Sequence, residues 1–182
     1  MQYLVEQQKI VTDSHFALLA NQLVLVAPLS SRLQSIDLRS DSELVEQLQK
    51  GRLATGNTEH VPVGIYARQA LQSLNLWDQL KNRLAMANNT RAALAFAERS
   101  AVPLAIVYKT DALSSKKEKV LATFPASSHH EIHYPMALIN NKNAAKPAAK
   151  KDQASLFYRY LKSSAAAAIF RQYGFTNLNN VN

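Results

Sequence analysis

Short apolar runs of strand length alternate with helical patterns along most of this sequence. Three runs have the length and aliphatic content of buried strands: QLVLVAP at 22–28, PLAIVYKTDA at 103–112 and KVLATF at 119–124. Apolar residues recur at helical spacing in two other segments, LNLWDQLKNRL at 74–84 and TRAALAFAERS at 90–100. Such alternation is typical of βα units, so the sequence predicts an α/β fold with a largely parallel sheet.

The last third of the chain has a different character. NNKNAAKPAAKKDQ at 140–153 is polar and rich in lysine and alanine, and it predicts a loop. ASLFYRYLKSSAAAAIFRQYGF then predicts two closing helices, of which the second ends near Gly174.

Composition excludes several classes of protein. The chain has no cysteine, which excludes disulfide frameworks, thiolate zinc sites and cysteine nucleophiles. It contains neither a glycine-rich phosphate loop nor a G-x-S-x-G motif, and no apolar run long enough to span a bilayer. The net charge of +8 suggests an anionic partner, although a basic solvated face is the more ordinary explanation. A nucleic-acid module is a further alternative, but the chain shows no helix-turn-helix and no basic stripe.

TEHVPVGIYARQAL at 58–71 predicts a helix whose first turn is bare. Pro62 opens the helix and Gly64 follows, and no Asp, Asn, Ser or Thr stands immediately in front as a cap. The first N–H groups of a helix have no partner within the helix and carry partial positive charge, so they bind anions. Val63 is the first available donor, and Gly64 has no side chain to obstruct an approaching oxygen.

Two further donors follow strand-like segments in the same way. Thr90 begins a helix after LAMA, and Tyr108 stands at the carboxyl end of a predicted strand, where α/β sheets place ligands. Neutral donors of Val63, Thr90 and Tyr108 could therefore converge on one oxyanion. Each element also has an ordinary explanation, since Pro62 is a common helix starter, Thr90 or Asn89 a common cap and Tyr108 a common strand-end residue.

SHHEIHYP at 128–135 raises the alternative of a metal site. In a strand, His129, Glu131 and His133 would project from one face and could hold zinc for a metal-assisted hydrolase. An exposed loop that enters a strand is the competing interpretation, because no further ligand is signalled nearby.

Three segments of the chain together resemble the periplasmic molybdate-binding proteins of bacterial ABC importers. They are GRLATGNTEHVPVGIYARQALQSLNLWDQL, TRAALAFAERSAVPLAIVYKTDA and VLATFPASSHHEIHYPMAL. The resemblance implies a type II periplasmic binding protein, with two α/β lobes joined by hinge strands that close on a tetrahedral oxyanion. It implies one complete βα lobe at 21–130 and an incomplete second lobe at 1–20 and 131–182, with hinge strands near 20–27 and 130–138. The family's N-terminal third, which carries two ligating serines, is expected to be absent from this chain.

Carried onto this sequence, the resemblance implies that Val63 and Thr90 bind molybdate through backbone N–H groups and Tyr108 through its phenol. Pro62 and Gly64 would support the site. Tungstate has a similar geometry, and no cofactor and no metal beyond the oxyanion is implied. The expected protein is a periplasmic solute-binding protein that serves a membrane permease and is not an enzyme, with binding weakened by the missing serines. A truncated remnant that binds nothing, or a binder of another oxyanion such as sulfate, is the alternative.

Overall fold

The structure, a computed structural model, describes residues 1–39, 43–140 and 148–178. The α-helices of these residues are Gln2–Glu6 (α1), Glu43–Leu48 (α2), Pro62–Ser73 (α3), Trp77–Leu80 (α4), Thr90–Glu98 (α5), Lys109–Ser114 (α6), Ala148–Leu161 (α7) and Ser164–Gln172 (α8). The strands are Phe16–Asn21 (β1), Leu23–Pro28 (β2), Leu53–Gly56 (β3), Leu84–Ala87 (β4), Leu104–Tyr108 (β5), Glu118–Thr123 (β6), Ile132–Met136 (β7) and Thr176–Asn177 (β8). Short 3-10 turns lie at Thr12–Ser14, Lys81–Arg83 and Ala126–Ser128.

The chain consists of two compact units. Unit 1 contains Met1–Ala20 together with Ile132–Asn182, and unit 2 is the continuous segment Asn21–Glu131. The chain therefore passes from one unit to the other twice, after Ala20 and again after Glu131. None of the helices in the described ranges is long and apolar enough to cross a membrane.

Unit 2 is built on a five-stranded sheet of order β4-β3-β5-β2-β6. β3 pairs in parallel with both β4 and β5, whereas β2 pairs antiparallel with β5 and with β6. The α/β class is confirmed, but the expectation of a largely parallel sheet is wrong for β2. This strand enters unit 2 directly from unit 1 without a crossover helix, so no βα connection forces it to run with its neighbours.

The core of unit 2 lies between this sheet and its helices. Every residue of β2 is buried, and Val24 and Val26 pack in one cluster with Ala93 and Ala97 of α5. The helix predicted at 90–100 is confirmed as α5, and its buried residues are Ala93, Leu94 and Ala97. Alanine at these positions lets the helix approach the sheet closely, which fixes where the first turn of α5 lies.

Unit 1 contains a three-stranded sheet of order β7-β1-β8, in which β1 and β8 are antiparallel. The two closing helices predicted from the sequence are confirmed as α7 and α8, and the Ser163 side chain caps α8 by accepting from the N–H of Ala166. The loop predicted at 140–153 is wrong from Ala148 onward, where α7 begins, because alanine and lysine are strong helix formers. Residues 141–147 of that prediction lie outside the described part.

Candidate functional site

Three βα junctions of unit 2 meet at one edge of its sheet. β4, β3 and β5 are neighbours and run in parallel, so their carboxyl ends lie side by side. The segment after β3 leads to α3, which contains Val63, and the segment after β4 leads to α5, which begins at Thr90. Tyr108 is the last residue of β5. The topology thus brings all three sequence-predicted donors to the same edge.

The first turn of α3 is bare, as the sequence predicts. Val61 is the N-cap residue, no side chain caps it, and Pro62 occupies the first turn. The first helical hydrogen bond runs from the N–H of Ile65 to the carbonyl oxygen of Val61 at 3.0 Å. Among the described residues, the N–H groups of Val63 and Gly64 have no acceptor, and Val63 is fully buried. Buried N–H groups are rarely left unpaired, so these two are suited to an acceptor from a ligand.

Gly64 has a packing role that does not depend on any ligand. A Cβ atom built on Gly64 would lie 2.2 Å from the carbonyl oxygen of Gly56 and 2.4 Å from that of Asn57. Only a residue without a side chain therefore lets the first turn of α3 rest on the end of β3. The N–H of Asn57 donates to the carbonyl oxygen of Ala87 at 2.8 Å, which ties this end of β3 to the end of β4.

The first turn of α5 is capped but retains donors. Asn89 is the N-cap residue, and its side-chain oxygen accepts from the N–H of Ala92 at 2.9 Å. Thr90 is the first residue of the helix and is half-buried. In the segments that the structure describes, the N–H groups of Thr90 and Arg91 have no acceptor. The amide donor predicted at Thr90 is thus available at the start of the helix.

Tyr108 is half-buried, and its strand position is paired with Leu23 of β2. The ring of Tyr66, on α3, meets the ring of Tyr108 edge to face, with 6.4 Å between the ring centroids. Tyr66 also contacts the ring of His129, at 5.9 Å between centroids. Tyr66 was not predicted from the sequence as a site residue. Its one signal is position, since it lies one helical turn after Val63 and therefore on the same side of α3.

The donors at this edge are uncharged groups. Lys109, which follows Tyr108, donates its ammonium to the side-chain oxygen of Gln22 at 2.9 Å. Nearby on α6, burial raises the pKa of Asp111, and the charge of Arg91 opposes that rise. Two helix N-termini and a phenol can stabilise an oxyanion that is already fully ionised, because they provide hydrogen bonds without accepting or transferring a proton.

The three candidate metal ligands, His129, Glu131 and His133, do not lie together in one strand. β7 begins at Ile132, so His129 and Glu131 precede it and only His133 lies within it. The Nδ1 atom of His129 lies 2.7 Å from the carbonyl oxygen of His130. Within the described ranges, no group of three His, Cys, Asp or Glu side chains is arranged to hold a metal ion.

Comparison with known proteins adds an independent finding. A family model described as bacterial extracellular solute-binding protein matches residues 1–176. The chain is 46% identical over 176 residues to the molybdate-binding protein ModA of Escherichia coli, a match that covers 97% of this chain and 66% of that protein. It is 40% identical over 176 residues to ModA of Haemophilus influenzae, with the same coverage of 97% and 66%.

A solved structure is also similar to this chain. The substrate-binding domain assigned to a molybdenum ABC transporter of Clostridium difficile matches with a TM-score of 0.80 and 30% identity, over 98% of this chain and 72% of that one. The chain spans 66% of the length of the two curated relatives, which is a little under two thirds.

Proposed function

The chain belongs to the family of bacterial extracellular solute-binding proteins, and from that premise we propose that it binds molybdate for delivery to the permease of an ABC importer. The family and the α/β binding-protein fold predicted from the sequence are confirmed. The chain is a solute-binding protein and not an enzyme. Its relatives named as molybdate-binding proteins support molybdate as the ligand. The description of the matched family as extracellular supports the periplasm as the proposed compartment.

The observation that carries this proposal is the pair of buried, unpaired N–H groups in the first turn of α3. Val63 and Gly64 have no acceptor among the described residues, and Val63 is fully buried. We assign the N–H groups of Val63 and Thr90 and the phenol of Tyr108 as donors to the oxyanion, with Pro62 and Gly64 shaping the turn. These donors stabilise the double negative charge of molybdate through helix partial charges and hydrogen bonds, without a lysine or arginine.

Neutral donors also select among anions. Phosphate carries a proton near neutral pH, and N–H and O–H donors have nothing with which to accept it. Sulfate is smaller than molybdate and would leave donors too distant to bond. Tungstate shares the size and geometry of molybdate, so the same site is expected to bind both.

The family resemblance assigns two further ligands, both serine hydroxyls, to the other lobe, and we propose that these 182 residues do not include them. A hydrogen bond to a charged group contributes about 1.5–3 kcal/mol, so two of them correspond to roughly 10²–10⁴ in affinity. We propose that the 182-residue chain by itself binds molybdate more weakly, by about that factor, than a relative that has both serines.

Titration calorimetry tests the assignment, after circular dichroism has established that the chain is folded. We expect heat with molybdate and with tungstate, and much less with sulfate at the same concentration. Tyr108→Phe removes one donor and is expected to weaken molybdate binding by about 10-fold or more.

Tyr173→Phe is the matched control, because Tyr173 lies in unit 1 and is 63% exposed. This variant is expected to bind like the parent chain. A folded chain that gives no heat with millimolar molybdate, or gives equal heats with molybdate and sulfate, would show that the proposal is wrong.

A further inference from the structure

We propose that Tyr66 is a positioning residue that holds the phenol of Tyr108 in place for the bound oxyanion. This inference rests on the proposed function, in which Tyr108 donates to the ligand. It concerns a residue with no assigned role, whose ring lies against that of Tyr108 at 6.4 Å between centroids.

Tyr66 connects two of the proposed donors. It lies on α3 one turn after Val63, so any movement of the first turn of α3 also moves the Tyr66 ring. Through the edge-to-face contact, the Tyr66 ring restricts the position of the Tyr108 ring at the end of β5. We therefore expect the α3 amides and the Tyr108 phenol to move together, because the Tyr66 ring links α3 to the end of β5.

The Tyr66 ring has a second aromatic neighbour. His129 contacts it edge to face at 5.9 Å between centroids. The neighbouring residue, His130, donates its backbone N–H at 3.0 Å to the side-chain oxygen of Gln69, which lies on α3 one turn after Tyr66. The segment that carries His129 is thus tied to the same helix, and the Tyr66 ring has two aromatic neighbours, Tyr108 and His129, that restrict its rotation.

A positioning role makes a different prediction from direct donation by the Tyr66 hydroxyl. Positioning requires only the ring, so Tyr66→Phe should retain molybdate binding to within about 3-fold, whereas Tyr66→Leu should weaken it by about 10-fold, similar to the loss of the Tyr108 hydroxyl. A direct donor would instead lose as much binding in Tyr66→Phe as in Tyr66→Leu.

A double-mutant cycle separates positioning from general damage to the fold. When Tyr66 acts through the Tyr108 hydroxyl, Tyr66→Leu has little further effect in the Tyr108→Phe background, about 2-fold or less. A merely structural role would lower the affinity by the same factor in both backgrounds. The cycle is measured by titration with molybdate, and circular dichroism checks the folding of each variant.

Two more variants complete the design. Arg68→Ala is the matched control on α3, because Arg68 lies over the ring of Trp77, at 5.2 Å from its centroid, and takes no part in the site. It is expected to bind like the parent chain. His129→Ala removes a ring neighbour of Tyr66 without changing the sequence of α3. It should weaken molybdate binding about 3-fold when the Tyr108 hydroxyl is present and have no effect in the Tyr108→Phe background. It decides the question if Tyr66→Leu does not fold.

The outcomes distinguish the two proposals. A parent chain that does not bind molybdate overturns the proposed function and this inference with it. A parent chain that binds, together with a Tyr66→Leu variant of unchanged affinity or additive loss in the cycle, overturns the inference alone.

Discussion

A buried carboxyl group at the start of β6 is expected to make the stability of this protein fall as the pH rises. Glu118 is 9% exposed, and both of its carboxylate oxygens are buried without a hydrogen-bond partner in the described structure. Burial, and then the charge of Glu98, raise the pKa of Glu118 from 4.5 to about 7. Lys119, the next residue, donates its ammonium to the carbonyl oxygen of Ser31 instead.

The size of the effect follows from the difference in pKa between the folded protein and the unfolded chain. One pKa unit corresponds to about 1.4 kcal/mol, so a rise from 4.5 to about 7 corresponds to about 3 kcal/mol. Because the folded protein binds this proton more tightly, the stabilisation is complete below about pH 4.5 and is lost as the pH rises through about 7. The ionised carboxylate therefore destabilises the fold above that pH.

Replacing Glu118 by glutamine removes the titration while keeping the shape of the protonated side chain. The difference in unfolding free energy between Glu118→Gln and the parent chain should change by about 3 kcal/mol between pH 4.5 and pH 8.5, in favour of the variant at the higher pH. Urea unfolding followed by tryptophan fluorescence measures this difference. The chain has a single tryptophan, Trp77, which lies in unit 2 as Glu118 does.

Glu46 provides the control, because it is an exposed carboxylate on α2. Glu46→Gln should leave the pH dependence of unfolding as it is in the parent chain. If Glu118→Gln and the parent chain differ by the same free energy at both pH values, the burial argument for Glu118 is refuted.

Substitutions at three further positions test the packing, capping and hydrogen bonding of the fold. Gly64→Ala should lower the stability of unit 2 by about 1–3 kcal/mol or more, because its Cβ would collide with backbone oxygen atoms; an unchanged urea midpoint would contradict this. Asn89→Ala removes the cap on the N–H of Ala92 and should reduce stability by about 0.5–2 kcal/mol in the same assay, whereas Asn89→Asp should retain most of it. Tyr158→Phe removes the 2.8 Å hydrogen bond to the carbonyl oxygen of Ser14 and should reduce thermal stability by about 1 kcal/mol, with no change in anion binding.

Much of the local structure could be predicted from the sequence. The run PLAIVY predicted a strand that ends at Tyr108, and the structure ends β5 there. Pro62 and Thr90 predicted the starts of two helices, and α3 and α5 begin at those residues. These features depend on side-chain periodicity, on the missing N–H of proline and on caps, all of which act within a few residues.

Predictions that depend on distant contacts were less successful. The prediction that β2 is one of several parallel strands is wrong, because an apolar run carries no information about its direction. The polarity of 148–153 predicts a loop, although the alanine and lysine content of this segment also suits the helix that forms there. The assignments of Val63, Thr90 and Tyr108 to an anion site stay predictions.

Neighbouring residues set where α3 and α5 begin, where β5 ends and which N–H groups a bare first turn leaves unpaired, so the sequence alone predicts these features. The position of β3 between β4 and β5, which brings their three carboxyl ends to one edge, is a property of the tertiary structure. So are the contact between the Tyr66 and Tyr108 rings and the burial of Glu118 without a hydrogen-bond partner among the described residues. Strand order, ring contacts and burial arise from groups far apart in the chain, so no local pattern encodes them.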